Sequence, residues 1–265
     1  MKVYMSADIE GISSTVCWEE CMPSDPRYPK AAEQMTREVL AACEGAFAAG
    51  AHEIFIKDAH GPGTNIDPFR MPPRTRLSRR WSEHPFSMVE GIDSSFDAAV
   101  YVGYHSAAGR DGSILSHTMS RQPLYVKLNG IYASEFMLYS YAAAYVGVPS
   151  VYLSGDRQLC QESAALHPCL VTTPVKEGHA FAAVCVPPTE AEDMIRGDIE
   201  RALRQDLSHA LIRLPESFTV EISYKEHVNS AKPSYYPGMK RKDPHTVIFE
   251  TRDYFEVLRM LQFVL

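Results

Sequence analysis

The stretch that most restricts the fold is Lys2–Gly11, KVYMSADIEG, a short apolar run that leads directly into two carboxylates. Val3 to Ser6 reads as a buried strand, and side chains two residues apart on a strand share a face. With strand geometry carried to its end, Asp8 and Glu10 project into one small volume. Like charges that close need a cation between them or a proton on one of them. A metal ion meets that need; an exposed Asp/Glu pair on a βα loop is the ordinary alternative.

The chain beyond alternates in the same style. Lys30–Ala49 places Met35, Val39, Ala42 and Ala46 at helical spacing, and Gly50 is a natural stop. Glu53–Lys57 is a second apolar strand, ending in Asp58-Ala59-His60-Gly61, and a loop rich in Pro, Gly and Asn follows to Pro73. Phe96–Tyr104 is a third strand, with His105 directly after it. Leu115–Ser120 and Leu124–Leu128 alternate like antiparallel strands, and Asn129-Gly130 predicts a tight turn into Ile131–Ala133. Ser134 is placed to cap a helix over Glu135–Val146, and Pro149–Ser154 is a further strand before Gly155-Asp156-Arg157. This order predicts an α/β fold, a three-layer αβα arrangement around a mainly parallel sheet. From Pro187 the texture changes to a helix (Thr189–Gln205), a strand (Thr219–Tyr224), a short helix (Lys225–Ala231), a strand (Thr246–Glu250) and a last helix (Tyr254–Val264). The expected division is a metal-binding α/β domain over 1–186 and a smaller α+β unit over 187–265.

Composition narrows the function classes. A net charge of −7 argues against nucleic acid as the partner, because phosphate binding needs clustered Lys and Arg. The one basic patch, Arg74–Arg80, reads as a solvated loop. No run of eighteen apolar residues predicts a membrane span, and no signal sequence is visible at the N-terminus. The six cysteines form no CxxC pair, so they read as reduced thiols of a cytoplasmic protein. Cys17 and Cys21 stand near the acid pair in sequence and are weak candidates as ligands.

In open α/β sheets, ligands bind beyond the carboxyl ends of the strands. Three strand ends here carry metal-binding side chains: Asp8 with Glu10, His60, and His105. Such a carboxylate and imidazole set suits zinc, or manganese, cobalt or iron, better than calcium. An Asp bridging two ions about 4 Å apart would explain the need for both acids and histidines. Asp58 is a candidate to orient the His60 ring. A rival reading takes Asp8 as the nucleophile of a Mg-dependent phosphohydrolase, with Asp156 as its second acid.

The segments MSADIEGIS, IKDAHGPGTNID, PFSMVEGID, FDAAVYVGYHSAAG, ILSHTMS, VKLNGIYASE, GVPSVYLSGDR and TTPVKEG, in this order, resemble the zinc-dependent D-aminopeptidase family, some of whose members are labelled dipeptide transport proteins. The resemblance continues into YYPGMKRKDPHTVIFE and covers nearly the whole chain. It implies a two-zinc site on Asp8, Glu10, His60, His105 and Glu135, with Asp8 bridging and manganese or cobalt as possible substitutes. It places the family's catalytic histidine on His117. On chemical grounds His117 suits proton shuttling or transition-state stabilisation better than nucleophilic attack. The implied activity is aminopeptidase action on short peptides or amides that begin with a D-amino acid, within a ring-like homo-oligomer. A non-catalytic dipeptide-binding protein is the second alternative. The chain departs from the family pattern at Arg157, where many relatives have an acid, and in a shortened segment Gly178–Pro188.

Overall fold

All 265 residues are described by the structure, a computed structural model. The strands are β1 (Lys2–Ala7), β2 (Glu53–Asp58), β3 (Thr75–Ser78), β4 (Ala98–Tyr104), β5 (Pro123–Leu128), β6 (Ile131–Tyr132), β7 (Ser150–Asp156), β8 (Val171–His179), β9 (Ala182–Cys185), β10 (Phe218–Tyr224), β11 (Lys240–Arg241) and β12 (Thr246–Thr251). The helices are α1 (Tyr28–Ala48), α2 (Glu135–Tyr145), α3 (Arg157–Leu166), α4 (Pro188–Leu203) and α5 (Tyr254–Val264). A seven-stranded sheet runs in the order β3-β2-β1-β4-β7-β8-β9, parallel throughout except for β9, which returns along β8. A five-stranded sheet, β11-β12-β10-β5-β6, is antiparallel.

The central strands β1, β4 and β7 are buried along nearly their whole length, as strands covered on both faces must be. Val3, Met5 and Ala7 of β1 pack into one core with Met35, Val39 and Ala42 of α1 and Ile195 and Ile199 of α4. Tyr4 and Tyr101 face the opposite core, which α2, α5 and the apolar face of the second sheet complete. The expected α/β architecture is therefore present. The two sheets interleave in sequence, since β5 and β6 join β10–β12 while α4 packs against α1. No helix is long and apolar enough to cross a membrane.

Several segments differ from expectation. Leu115–Ser120 forms no strand; only an isolated bridge joins Thr118 and Ser120. Thr118 is drawn inward by its own hydroxyl, which accepts the Ala108 N–H and donates to the Ala133 carbonyl, and Met119 takes a positive φ of 61°. His117 therefore stands on a loop. The basic patch includes β3, an edge strand whose single arginine, Arg76, is exposed, as suits a solvent-facing border. The Gly178–Pro188 segment is mostly the β8–β9 hairpin. The short helix expected over Lys225–Ala231 is a single 3-10 turn, His227–Ser230.

Candidate metal centre

The strand order explains why the candidate residues meet. β2, β1 and β4 are neighbours, so His60, the Asp8/Glu10 pair and His105 leave adjacent carboxyl ends of one parallel sheet. β1 stops at Ala7, so the two acids converge through a turn and not through continued strand geometry. β4 holds that turn: the Asp8 and Gly11 N–H groups donate to the Val102 and Gly103 carbonyls at 2.9 and 2.8 Å. Gly11 is required there, because a Cβ would lie 1.8 Å from the Tyr104 carbonyl oxygen. Glu135 arrives from across the site at the start of α2, whose first turn Ser134 caps by accepting the Met137 N–H.

The five side chains form a compact set, with Asp8, Glu10, His105 and Glu135 buried and His60 nearly so. His60 Nδ1 lies 3.3 Å from Asp8 Oδ1 and 2.9 Å from Glu10 Oε2. His105 Nε2 lies 3.5 Å from Asp8 Oδ2 and 3.3 Å from Glu135 Oε2. Asp8 thus turns one oxygen to each histidine. Both rings are tied by their other nitrogen to a backbone carbonyl, His60 Nε2 to Cys21 at 2.9 Å and His105 Nδ1 to Ser106 at 3.0 Å. A carbonyl only accepts, so each tied nitrogen carries the proton, and each free nitrogen of a neutral ring aims a lone pair at carboxylate oxygens. Glu10 Oε2 and His105 Nε2 are buried without a hydrogen-bond partner. Lone pairs facing oxygens around a shared volume fit a divalent cation, and the donor types fit zinc.

The electrostatics carry the same message. Burial and the neighbouring Glu10 raise the Asp8 carboxyl well above its usual range. Burial also opposes ionisation of Glu10, yet His60 holds it well below the usual range. Burial disfavours a charged His105, but Glu135 and Asp8 push it up to about 10. Imidazoles, His60 and His105 foremost, thus supply the positive charge nearest these three acids.

His117 stacks on His105 with ring centroids 4.3 Å apart, and its Nδ1 bonds the Leu115 carbonyl at 2.9 Å. That leaves Nε2 free, 3.7 Å from Glu135 Oε1. Donor atoms of His105, His117 and Glu135 lie within 4.8 Å of one another, as do those of Asp8, Glu10 and His105. Geometry alone therefore admits His117 beside the five expected ligands.

Other expected roles change. Asp58 does not touch the His60 ring; it accepts N–H groups from Asn65 and Ile66 and so shapes the loop after His60. Cys21 offers His60 its backbone oxygen and not its thiol, and all six cysteines are free. Asp156 accepts from Ser106 N–H and Oγ and caps α3 through Leu159 N–H, which occupies the acid that the phosphohydrolase reading needed. Arg157 pairs with Glu177 at 2.8 Å beside a separate surface depression.

Asp8, Glu10, His60, Glu135 and His117 form the floor of a cavity of about 400 Å³, with His105 buried behind them. Trp81, Glu83, His84 and Met88 make one wall, and Leu261 and Leu265, at the end of the chain, close another. Sequence reading missed these walls. On the Trp81–Glu90 side only Ser87, Met88 and Glu90 lie in a recognised segment, and nothing local places α5 beside the loop after β3.

The profile of the D-aminopeptidase family matches residues 1–263. A D-aminopeptidase of Bacillus subtilis (strain 168) is 28% identical over 270 residues, covering 98% of this chain and 95% of that protein. The solved structure of the Zn-dependent D-aminopeptidase DppA from Bacillus subtilis, described as a self-compartmentalizing protease, superposes with a TM-score of 0.93. It is 27% identical in sequence, and the match covers 100% of this chain and 96% of that one. With a matching profile across essentially its full length, the chain belongs to the D-aminopeptidase family.

Proposed function

We propose that this protein is a metal-dependent aminopeptidase that removes an N-terminal D-amino acid from short peptides or amides. The observation that carries the reading is the pair of backbone-tied histidines, each turning its free nitrogen to one oxygen of Asp8. Asp8, Glu10, His60, His105 and Glu135 would hold two zinc ions with Asp8 between them; manganese or cobalt suits the same donors. When bound, zinc supplies Lewis acidity, which draws the pKa of a water from about 16 toward 7 and polarises a carbonyl.

The chain's own groups do the rest. His117, with its Nδ1 proton engaged by Leu115, presents Nε2 to the cavity. There it accepts a proton from water attacking the scissile carbonyl and returns it to the departing amine. The cavity walls leave room for a short peptide end. The description of the DppA relative as self-compartmentalizing supports a homo-oligomer, ring-like in our reading, that admits short peptides and no nucleic acid or membrane partner. Six free thiols accord with a cytoplasmic setting.

The test is turnover by zinc-reconstituted protein on matched D- and L-aminoacyl amides and dipeptides, with metal counted by elemental analysis. Preference for the D series with two zinc ions per chain is expected. Phosphatase activity in Mg²⁺ without peptide cleavage would overturn the reading. Tight dipeptide binding without turnover in the zinc-loaded protein would overturn it in favour of a binding protein.

A further inference from the structure

Glu10 belongs to a turn that is gripped from two sides. The end of β4 holds one side through the Asp8 and Gly11 N–H groups. The other side meets a lysine that the chemistry above does not use. Lys176, on β8, is 5% exposed, and its Nζ donates to the backbone carbonyls of Glu10 and Thr15. β8 is the third strand along from β1, so the segment that follows β1 crosses the ends of β4 and β7 to meet this ammonium.

Its neighbours extend the pattern. Glu38 of α1, fully buried, accepts the Ser13 N–H of the same segment at 2.9 Å. Asp156, paired with Lys176 across β7 and β8, accepts the N–H of Ser106, the residue after His105. Two of the ligand-bearing segments, those of Glu10 and His105, therefore have a buried charged group behind them. A buried ammonium carries a desolvation cost that an apolar residue at the same strand position would not. Here the cost is offset by two carbonyls of one turn, and those carbonyls belong to the residues that set where Glu10 points.

We infer that Lys176 is a positioning residue of the metal centre. Its ammonium fixes the Glu10–Thr15 backbone and thereby holds the Glu10 carboxylate against His60 and beside Asp8. This rests on the reading of Glu10 as a metal ligand, and the experiment separates the two.

Zinc dissociation constants are measured by competition with a chromogenic chelator for the wild-type protein, Lys176→Met, Lys176→Arg and Lys57→Met. Lys57 is the control, the other buried lysine that donates to a backbone carbonyl, that of Arg80, away from the ligand turn. Lys176→Met should bind zinc about 10- to 100-fold more weakly, the usual effect of losing a group that orients a ligand. Its cobalt-loaded visible spectrum should change as well. Lys176→Arg, which keeps cation and donors, should recover most of the affinity, and Lys57→Met should lose stability without losing zinc. Should Lys176→Met not fold, Lys176→Gln carries the same comparison. Wild-type protein that binds no zinc would overturn the metal reading itself. Zinc-binding wild type matched by a folded Lys176 variant would overturn only the role of Lys176, as would equal weakening in Lys57→Met.

Discussion

The floor and the wall of the cavity are built on opposite terms. The floor is formed by side chains at the ends of adjacent buried strands and at a capped helix start, all of them inaccessible or nearly so. The Trp81–Met88 wall is a loop in which Glu83 and Ser87 adopt positive φ of 66° and 40°, after Arg80 at 66°. Each such residue costs about 1–3 kcal/mol and persists only where its surroundings enforce it. Enforcement comes from long-range contacts: Trp81 Nε1 donates to the Gly61 carbonyl at 2.7 Å, Gln262 Nε2 to Glu83 Oε2 at 3.0 Å, and the His84 ring meets Phe255. Secondary structure positions the candidate ligands, and tertiary contacts hold the wall above them, which in the proposed function faces the substrate. The floor should therefore govern metal and kcat, and the wall should govern KM.

The largest effect tests the floor. Asp8→Ala removes the carboxylate that faces both histidines and should lose both zinc ions, with activity falling to background. Elemental analysis checks this, and a variant that keeps two ions would refute the bridging role. His117→Ala should follow, with turnover reduced by about 10²–10⁴ and metal retained. Loss of an ion with that change would show that the grouping of His117 with His105 and Glu135 is a coordination site.

The same division separates what the sequence discloses from what it hides. Asp8, Glu10, His60 and His105 are legible because each follows an apolar strand, and those strands lie side by side as β2, β1 and β4. Glu135 and His117 are legible only through family resemblance. His117 in particular owes its place to a loop shaped by the hydroxyl of Thr118, a long-range bond with no local signature. β8 carries Pro174 and Lys176 inside it, which obscures an apolar pattern, although both are accommodated beside β7. α3 is short, and its buried residues are few. The cavity wall depends on α5 reaching the loop after β3, a contact between residues nearly 180 positions apart that no local period encodes.

Smaller effects should come from the wall. Trp81→Ala removes the bond to Gly61 and the ring that lies 4.2 Å from the Lys57 ammonium. KM should rise about tenfold, equivalent to about 1.4 kcal/mol, with kcat and bound zinc nearly unchanged. A fall in kcat as deep as that of His117→Ala would break the separation between wall and floor.

Glu83→Gln gives the smallest and most discriminating shift. Glu83 is exposed, and its bond to Gln262 is of a kind worth about 0–1 kcal/mol in water, so the melting temperature should move by less than about 4 °C. Removing a negative charge from the cavity mouth while keeping the side chain's length isolates its action on a substrate that carries a free ammonium. If that action is electrostatic, the KM increase should be at most about fivefold and should shrink as salt is raised. An effect that persists at high salt would mean that Glu83 acts by holding α5 to the loop. In that case Gln262→Ala, which breaks the same bond without touching the charge, should reproduce it.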